Sequence, residues 1–128
     1  MVLINVVCGI IYNKGKIFIA RRNLEKSLGG YWEFPGGKVE IGEKFENALI
    51  RELEEELGMK VIIRKYLGSN EHKYENFYVN LIAYECEFVS ATFKMTDHDE
   101  YKWVDIDILL QANLAPADIP IINLISLK

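Results

Sequence analysis

The chain has 128 residues, half of them hydrophobic and 27% charged, and a formal net charge of −4. That length suits a single domain over residues 1–128 with one core. The acidic balance argues against a nucleic acid duplex as partner, because displacing counterions needs a basic face. No run approaches the roughly 18 apolar residues that cross a bilayer, so no membrane partner is expected. The apolar start lacks a preceding basic segment and is broken by Gly15, which reads as two strands rather than a signal peptide, and a cytoplasmic location is expected. Cys8 and Cys86 lie far apart in apolar contexts without metal-type spacing, as buried free thiols of a reducing compartment do.

Residues 2–11 form a Val- and Ile-rich run expected to be a buried strand, and Asn13-Lys14-Gly15 turns it into a second strand at 16–20. The polar stretch 21–30 reads as a loop. Residues 31–34 are short and aromatic, Pro35-Gly36-Gly37 is expected to turn, and a brief strand is expected at 38–41. A helix is predicted from Glu43 to Leu57, with Gly58 as its left-handed cap. Strands follow at 61–67, 76–89 and 101–104. A short helix is expected at 105–110, and a last apolar helix at 121–127. The order β-β-β-α-β-β-β-α suits an α/β fold in which a mixed sheet carries helices on its faces.

The helix holds an unusual stretch. Residues 51–58 read RELEEELG, so glutamate fills four of eight positions. At about 100° per residue, Glu52, Glu55 and Glu56 share one face. Glu52 and Glu56 fall inside the arc occupied by Phe45, Ala48, Leu49 and Leu53, whereas Glu54 points the other way. Like charges one turn apart repel, and partial desolvation aggravates this. A divalent cation is the simplest compensation, and carboxylate oxygens suit Mg²⁺ or Mn²⁺.

Residues 37–59, GKVEIGEKFENALIRELEEELGM, resemble the signature box of the Nudix hydrolase family. Gly37, Glu43, Arg51, Glu52, Leu53, Glu55, Glu56, Gly58 and Met59 fill all of its specified positions. The chance of such a match is on the order of 10⁻⁸ at ordinary residue frequencies. Residues 31–43, YWEFPGGKVEIGE, resemble the MutT branch. LAPADIP at 114–120 is similar to the corresponding segment of that branch and of its CTP pyrophosphohydrolase relatives. The likeness covers the whole chain and implies the Nudix α/β/α sandwich.

The resemblance further implies a hydrolase that splits a nucleoside triphosphate into a nucleoside monophosphate and pyrophosphate. It places Mg²⁺, with Mn²⁺ as an alternative, on Glu52, Glu55, Glu56 and the Gly36 carbonyl. Glu52 is the first candidate for the base and Asp97 the second, while Arg51 and Glu43 orient the helix. Arg21 or Arg22, and Lys38, are the candidate phosphate cations. Phe34 and Tyr78 are candidates for stacking on the base, and Asp118 for reading it, unless Asp118 caps the last helix. His72 and His98 have no spacing that suggests a triad. The leading substrate on this reading is 8-oxo-dGTP, with CTP or a modified cytidine nucleotide second and other Nudix substrates third. A non-catalytic nucleotide-binding module is disfavoured because every acid of the box is present. Both a monomer and a homodimer are compatible with the sequence.

Overall fold

The computed structural model describes residues 2–125. Strands β1 (Val2–Asn13) and β2 (Lys16–Arg22) form the expected hairpin, followed by β3 (Trp32–Glu33) and β4 (Gly36–Lys38). Helix α1 (Phe45–Leu57) leads into the long strands β5 (Met59–Lys73) and β6 (Phe77–Ala91). Strand β7 (His98–Val104), the short helix α2 (Ile106–Leu109) and a 3₁₀ turn (Ile119–Leu124) complete the chain. The strands build one mixed sheet ordered β3-β2-β1-β6-β5, with β4 also on β1 and β7 also on β2. Here β1 and β6 run parallel, while β5 and β6 are antiparallel.

Alternation along the strands makes two cores, one on each face of the sheet. Val7, Ile11, Phe18 and Ala20 pack beneath Ala48, Leu49, Leu53 and Leu57 of α1. Cys8, Ile10, Ile17 and Ile19 face the opposite way, against Leu109, Leu114, Ala117 and Ile121. Burying each of these leucines contributes about 1.5–3 kcal/mol, so packing rather than capping holds α1 in place. Its first residue is preceded by Lys44, which makes no side-chain cap. Its end matches the expectation: Gly58 has φ 57° and donates its N–H to the Glu54 carbonyl. Both cysteines are free and buried. No helix among the described residues is long and apolar enough to cross a membrane.

Three expectations need correction. Gly36 and Gly37 are not a turn: they belong to β4 and pair with Cys8 and Val7, and the bend falls at Pro35. The glycines serve close approach, since a Cβ on Gly36 would collide with the Val7 carbonyl. The brief strand consequently ends at Lys38 rather than running to 41. Residues 119–124 are a 3₁₀ turn, shorter and earlier than the apolar helix expected at 121–127, whose last two residues lie outside the described residues.

β1 pairs with β2 at Tyr12 and Asn13, near the hairpin turn, and with β4 at Val6–Cys8. β2 therefore diverges from β1 and takes β3 and β7 instead. A cleft opens where the two halves part, and Cys8, Arg22, Phe34 and Lys38 border it.

Candidate active site

The cleft holds a cavity of about 220 Å³ lined by Cys8, Arg22, Glu33, Phe34, Gly36, Gly37, Lys38, Tyr74 and Asp118, among others. Its base-reading candidates are well defined. The Phe34 N–H donates to Asp118 Oδ2 at 2.9 Å in a buried contact. Asp118 makes no side-chain capping bond, so the capping alternative fails. Burial and then the Glu33 charge push the Asp118 carboxyl well above its usual range, against the Phe34 hydrogen bond and Arg22, which lower it. Tyr74 is also fixed here, its hydroxyl accepting from the Ala117 N–H at 3.1 Å.

Tyr78 is a correction. It alternates with Phe77 and Val79, which pack into the Cys8-side core, so it faces away from this part of the cleft. Tyr74, by contrast, lines the cavity. The arginine pair separates for the same reason. Arg21 turns out to Asp99, at 2.7 Å, and over Trp32. Arg22 turns in to the cavity, where its Nε donates to the Ser27 carbonyl and its Nη1 lies 3.4 Å from Glu33 Oε2. Lys38 lines the same cavity.

The acids of α1 sit where the helix wheel placed them. Glu56 is 7% exposed and counts among the buried residues, Glu52 is partly buried, and Glu54 and Glu55 are exposed. Arg51 organises this cluster. It clamps Glu43 through two hydrogen bonds of 2.8 and 2.9 Å, and its Nη1 reaches Glu52 at 2.8 Å and Glu55 at 3.1 Å. Its Nη2 also donates to the Lys38 carbonyl, tying the helix to the end of β4. The Arg51 pairing holds the Glu43 carboxyl down at about 2. Opposite Glu52 lies Gly37, where a Cβ would overlap the Glu52 carboxylate. Glycine there makes room for that side chain.

Glu56 behaves differently. Burial first, then its contact with the Glu52 carboxyl and the charges of Glu33, Glu52 and Asp97, push it from 4.5 up to about 10. Because the folded value is raised, the metal-free folded protein keeps a proton that the unfolded chain has released. Stability therefore falls as pH rises from about 4.5 towards about 10, with a limiting slope of about 1.4 kcal/mol per pH unit for one proton. Glu56→Gln has no proton to lose. In chelator-treated protein, the wild-type denaturation midpoint should drop between about pH 6 and pH 9, and that of Glu56→Gln should drop less. Equal drops would place the Glu56 carboxyl near its ordinary range.

Two residues that sequence reasoning left without a role complete the site. Glu33 and His98 are both close to Glu56, and the His98 Nε2 lies 2.8 Å from Glu33 Oε2. A two-residue β3 has no periodicity to reveal Glu33, and His98 depends on a strand irregularity described below. Asp97, the second candidate base, pairs with Lys26 at 3.1 Å and adds to the charge felt by Glu56.

A family model, the NUDIX domain, matches residues 2–125. The chain belongs to the Nudix family. This Nudix chain is 38% identical to a CTP pyrophosphohydrolase of Escherichia coli (strain K12), over 96% of this chain and 91% of that protein. It is 40% identical to an 8-oxo-dGTP diphosphatase of Proteus vulgaris, over 61% of this chain and 70% of that one. The solution structure of the E. coli ORF135 protein superposes with a TM-score of 0.81 at 37% identity, covering 96% and 88% of the two chains. The protein is thus a Nudix hydrolase with the mixed-sheet fold of its MutT-like relatives.

Nudix hydrolases generally use divalent metals. The donor set here fits one. Glu56 Oε2 is a buried carboxyl oxygen without a hydrogen-bond partner, it adjoins a second carboxyl, and three neighbouring acids, Glu33, Glu52 and Asp97, press on it, so the site favours a positive charge. Glu52 and Glu56 are the residues that would hold the ion, with Glu55 and the Gly36 carbonyl as further candidates. In the present arrangement no trio of acidic, His or Cys side chains among the described residues forms a ready cage. Arg51 instead draws Glu55 and Glu52 to its own Nη1.

Proposed function

We propose that this protein is a Mg²⁺- or Mn²⁺-dependent nucleoside triphosphate pyrophosphohydrolase that reads a cytosine-type base through Asp118. The observation that carries the base assignment is the buried Asp118 carboxyl. It lines the cavity, and only one of its oxygens, Oδ2, is taken by the Phe34 N–H. The other is available to accept from an exocyclic amino group such as that of cytosine. Full-length likeness to the E. coli CTP pyrophosphohydrolase supports the same choice. The pressure of burial and Glu33 on Asp118 favours a second reading. A carboxyl that keeps its proton both donates and accepts, as an amide does, and would suit the oxidised guanine of 8-oxo-dGTP.

The reaction is attack of water on phosphorus with release of a nucleoside monophosphate and pyrophosphate. A bound Mg²⁺ or Mn²⁺ supplies charge neutralisation on the phosphates and Lewis-acid activation. Arg22 and Lys38 add positive charge along the cavity. Glu52, held by Arg51 and given room by Gly37, takes the proton of the attacking water. Phe34 and Tyr74 supply the walls on which a planar base rests.

The test is pyrophosphate release, compared by kcat/KM, across CTP, dCTP, 5-methyl-dCTP, 8-oxo-dGTP, dGTP and ADP-ribose. A cytidine nucleotide leading 8-oxo-dGTP by about a hundredfold, worth nearly 3 kcal/mol, is expected. The reverse order selects the second reading. ADP-ribose as best substrate, or no pyrophosphate from any triphosphate, overturns both.

A further inference from the structure

His98 is wholly buried, yet the chemistry above gives it no task. A bulge puts it there. Down β2 and β7 the pairs run Ala20 with Tyr101 and Arg21 with Glu100, and then Arg22 with His98, so Asp99 is the extra residue. Without this slip Arg22 would oppose Asp99. With it, His98 shares the α1-side face with its partner Arg22, and Asp99 is left at the edge to pair with Arg21.

On that face the imidazole stands between two carboxyl groups. Nε2 lies 2.8 Å from Glu33 Oε2, and Nδ1 lies 3.9 Å from Glu56 Oε2. Glu33 is anchored in turn, since Arg22 Nη1 approaches the same oxygen at 3.4 Å. The ring is therefore pinned from the cavity side. Its other edge is set against Glu56 at a distance too long for a hydrogen bond. Nδ1 and Oε2 are the two buried side-chain polar atoms without a hydrogen-bond partner among the described residues. Leaving a buried polar atom unpaired costs about 1–3 kcal/mol, which calls for a reason. A carboxyl braced on one side with its oxygen unspent is what a cation ligand needs before the ion arrives.

We infer that His98 is a positioning residue for Glu56: pinned by Glu33, its ring holds the Glu56 carboxyl in place for the divalent cation without capturing the free oxygen. The inference deepens the metal-dependent reading above and rests on Glu56 as a ligand. The ring also keeps the Glu33 and Glu56 carboxyl groups from closing on each other. An unbraced Glu56 would swing within its pocket, so the cation would have to order it at the cost of affinity.

The experiment measures Mn²⁺ affinity by electron paramagnetic resonance without nucleotide, alongside thermal melting of the chelator-treated protein. His98→Phe keeps a flat ring of similar size and lacks the Glu33 pin, while His98→Gln offers an amide that reaches towards Glu33. His98→Phe should bind Mn²⁺ about tenfold more weakly than wild type while still melting cooperatively, and His98→Gln should recover most of the loss. Should His98→Phe fail to fold, Glu33→Gln, which weakens the pin from the other end, carries the comparison and should weaken Mn²⁺ binding by at least about threefold. Mn²⁺ affinities within about twofold of wild type in the folded variants overturn the inference and leave His98 a packing residue. A wild-type protein that binds no Mn²⁺ overturns the assignment of Glu56 as a ligand, and the inference with it.

Discussion

Replacing Glu52 with glutamine lowers kcat/KM for pyrophosphate release by about three orders of magnitude and shifts the melting temperature by no more than a few degrees. The asymmetry comes from what Gln keeps and what it loses. It retains the size that fits against Gly37, and its carbonyl oxygen can still accept from Arg51 Nη1, now 2.8 Å from Oε1. It loses the negative charge that a cation and a proton in flight require. The fold should tolerate the loss of that charge. Glu52 contributes to the crowding that raises Glu56, so neutralising it relieves repulsion in the metal-free protein. Pyrophosphate release and a thermal melt on the same preparation check the prediction. A rate within about tenfold of wild type would move the base role to Asp97, the acid beside His98 that already influences Glu56. A large fall in melting temperature would mean that the Arg51–Glu52 contact is structural.

Asp118→Asn should change which base is preferred, moving the ratio of kcat/KM for 8-oxo-dGTP over CTP upward by about a hundredfold. The substitution preserves the acceptor that holds the Phe34 N–H, because an amide oxygen can take over from Oδ2. It also removes a group whose ionisation burial and Glu33 oppose. What changes is the second atom in the cavity, from an acceptor to an N–H donor. A cytosine amino group then faces a donor, and an unpaired buried donor costs about 1–3 kcal/mol, which sets the size of the effect. Asp118→Ala serves as the contrast. It strands the Phe34 N–H as well, so it should lose stability and activity on every substrate. An Asn variant with the wild-type preference order would remove Asp118 from base recognition and leave it as the anchor of the Phe34 backbone alone.

Much of this architecture was legible in the residues. The period of α1, the glycine at its end, the apolar runs of β1, β2 and β6 and the spacing of the acids all express local rules that hold wherever the chain is placed. Reading failed where a neighbour set the outcome. Pro35-Gly36-Gly37 looks like a turn because glycine commonly makes turns. Here it is a strand because β1 approaches so closely that no Cβ fits at Gly36. Tyr78 looked like a stacking residue, but alternation on a strand fixed from outside by β1 and β5 turns it to the other face.

The sequence by itself determined the family, the two-sided sheet and the unusual face of α1, because periodicity, glycine placement and charge spacing act over a few residues. Only the tertiary structure decided which of two adjacent arginines enters the cleft, that Asp118 anchors Phe34 rather than capping a turn, and that Glu33 and His98 stand beside Glu56. Those relations join residues up to 84 positions apart. They depend on strand register, and a one-residue slip such as that at Asp99 turns a side chain from one face of the sheet to the other.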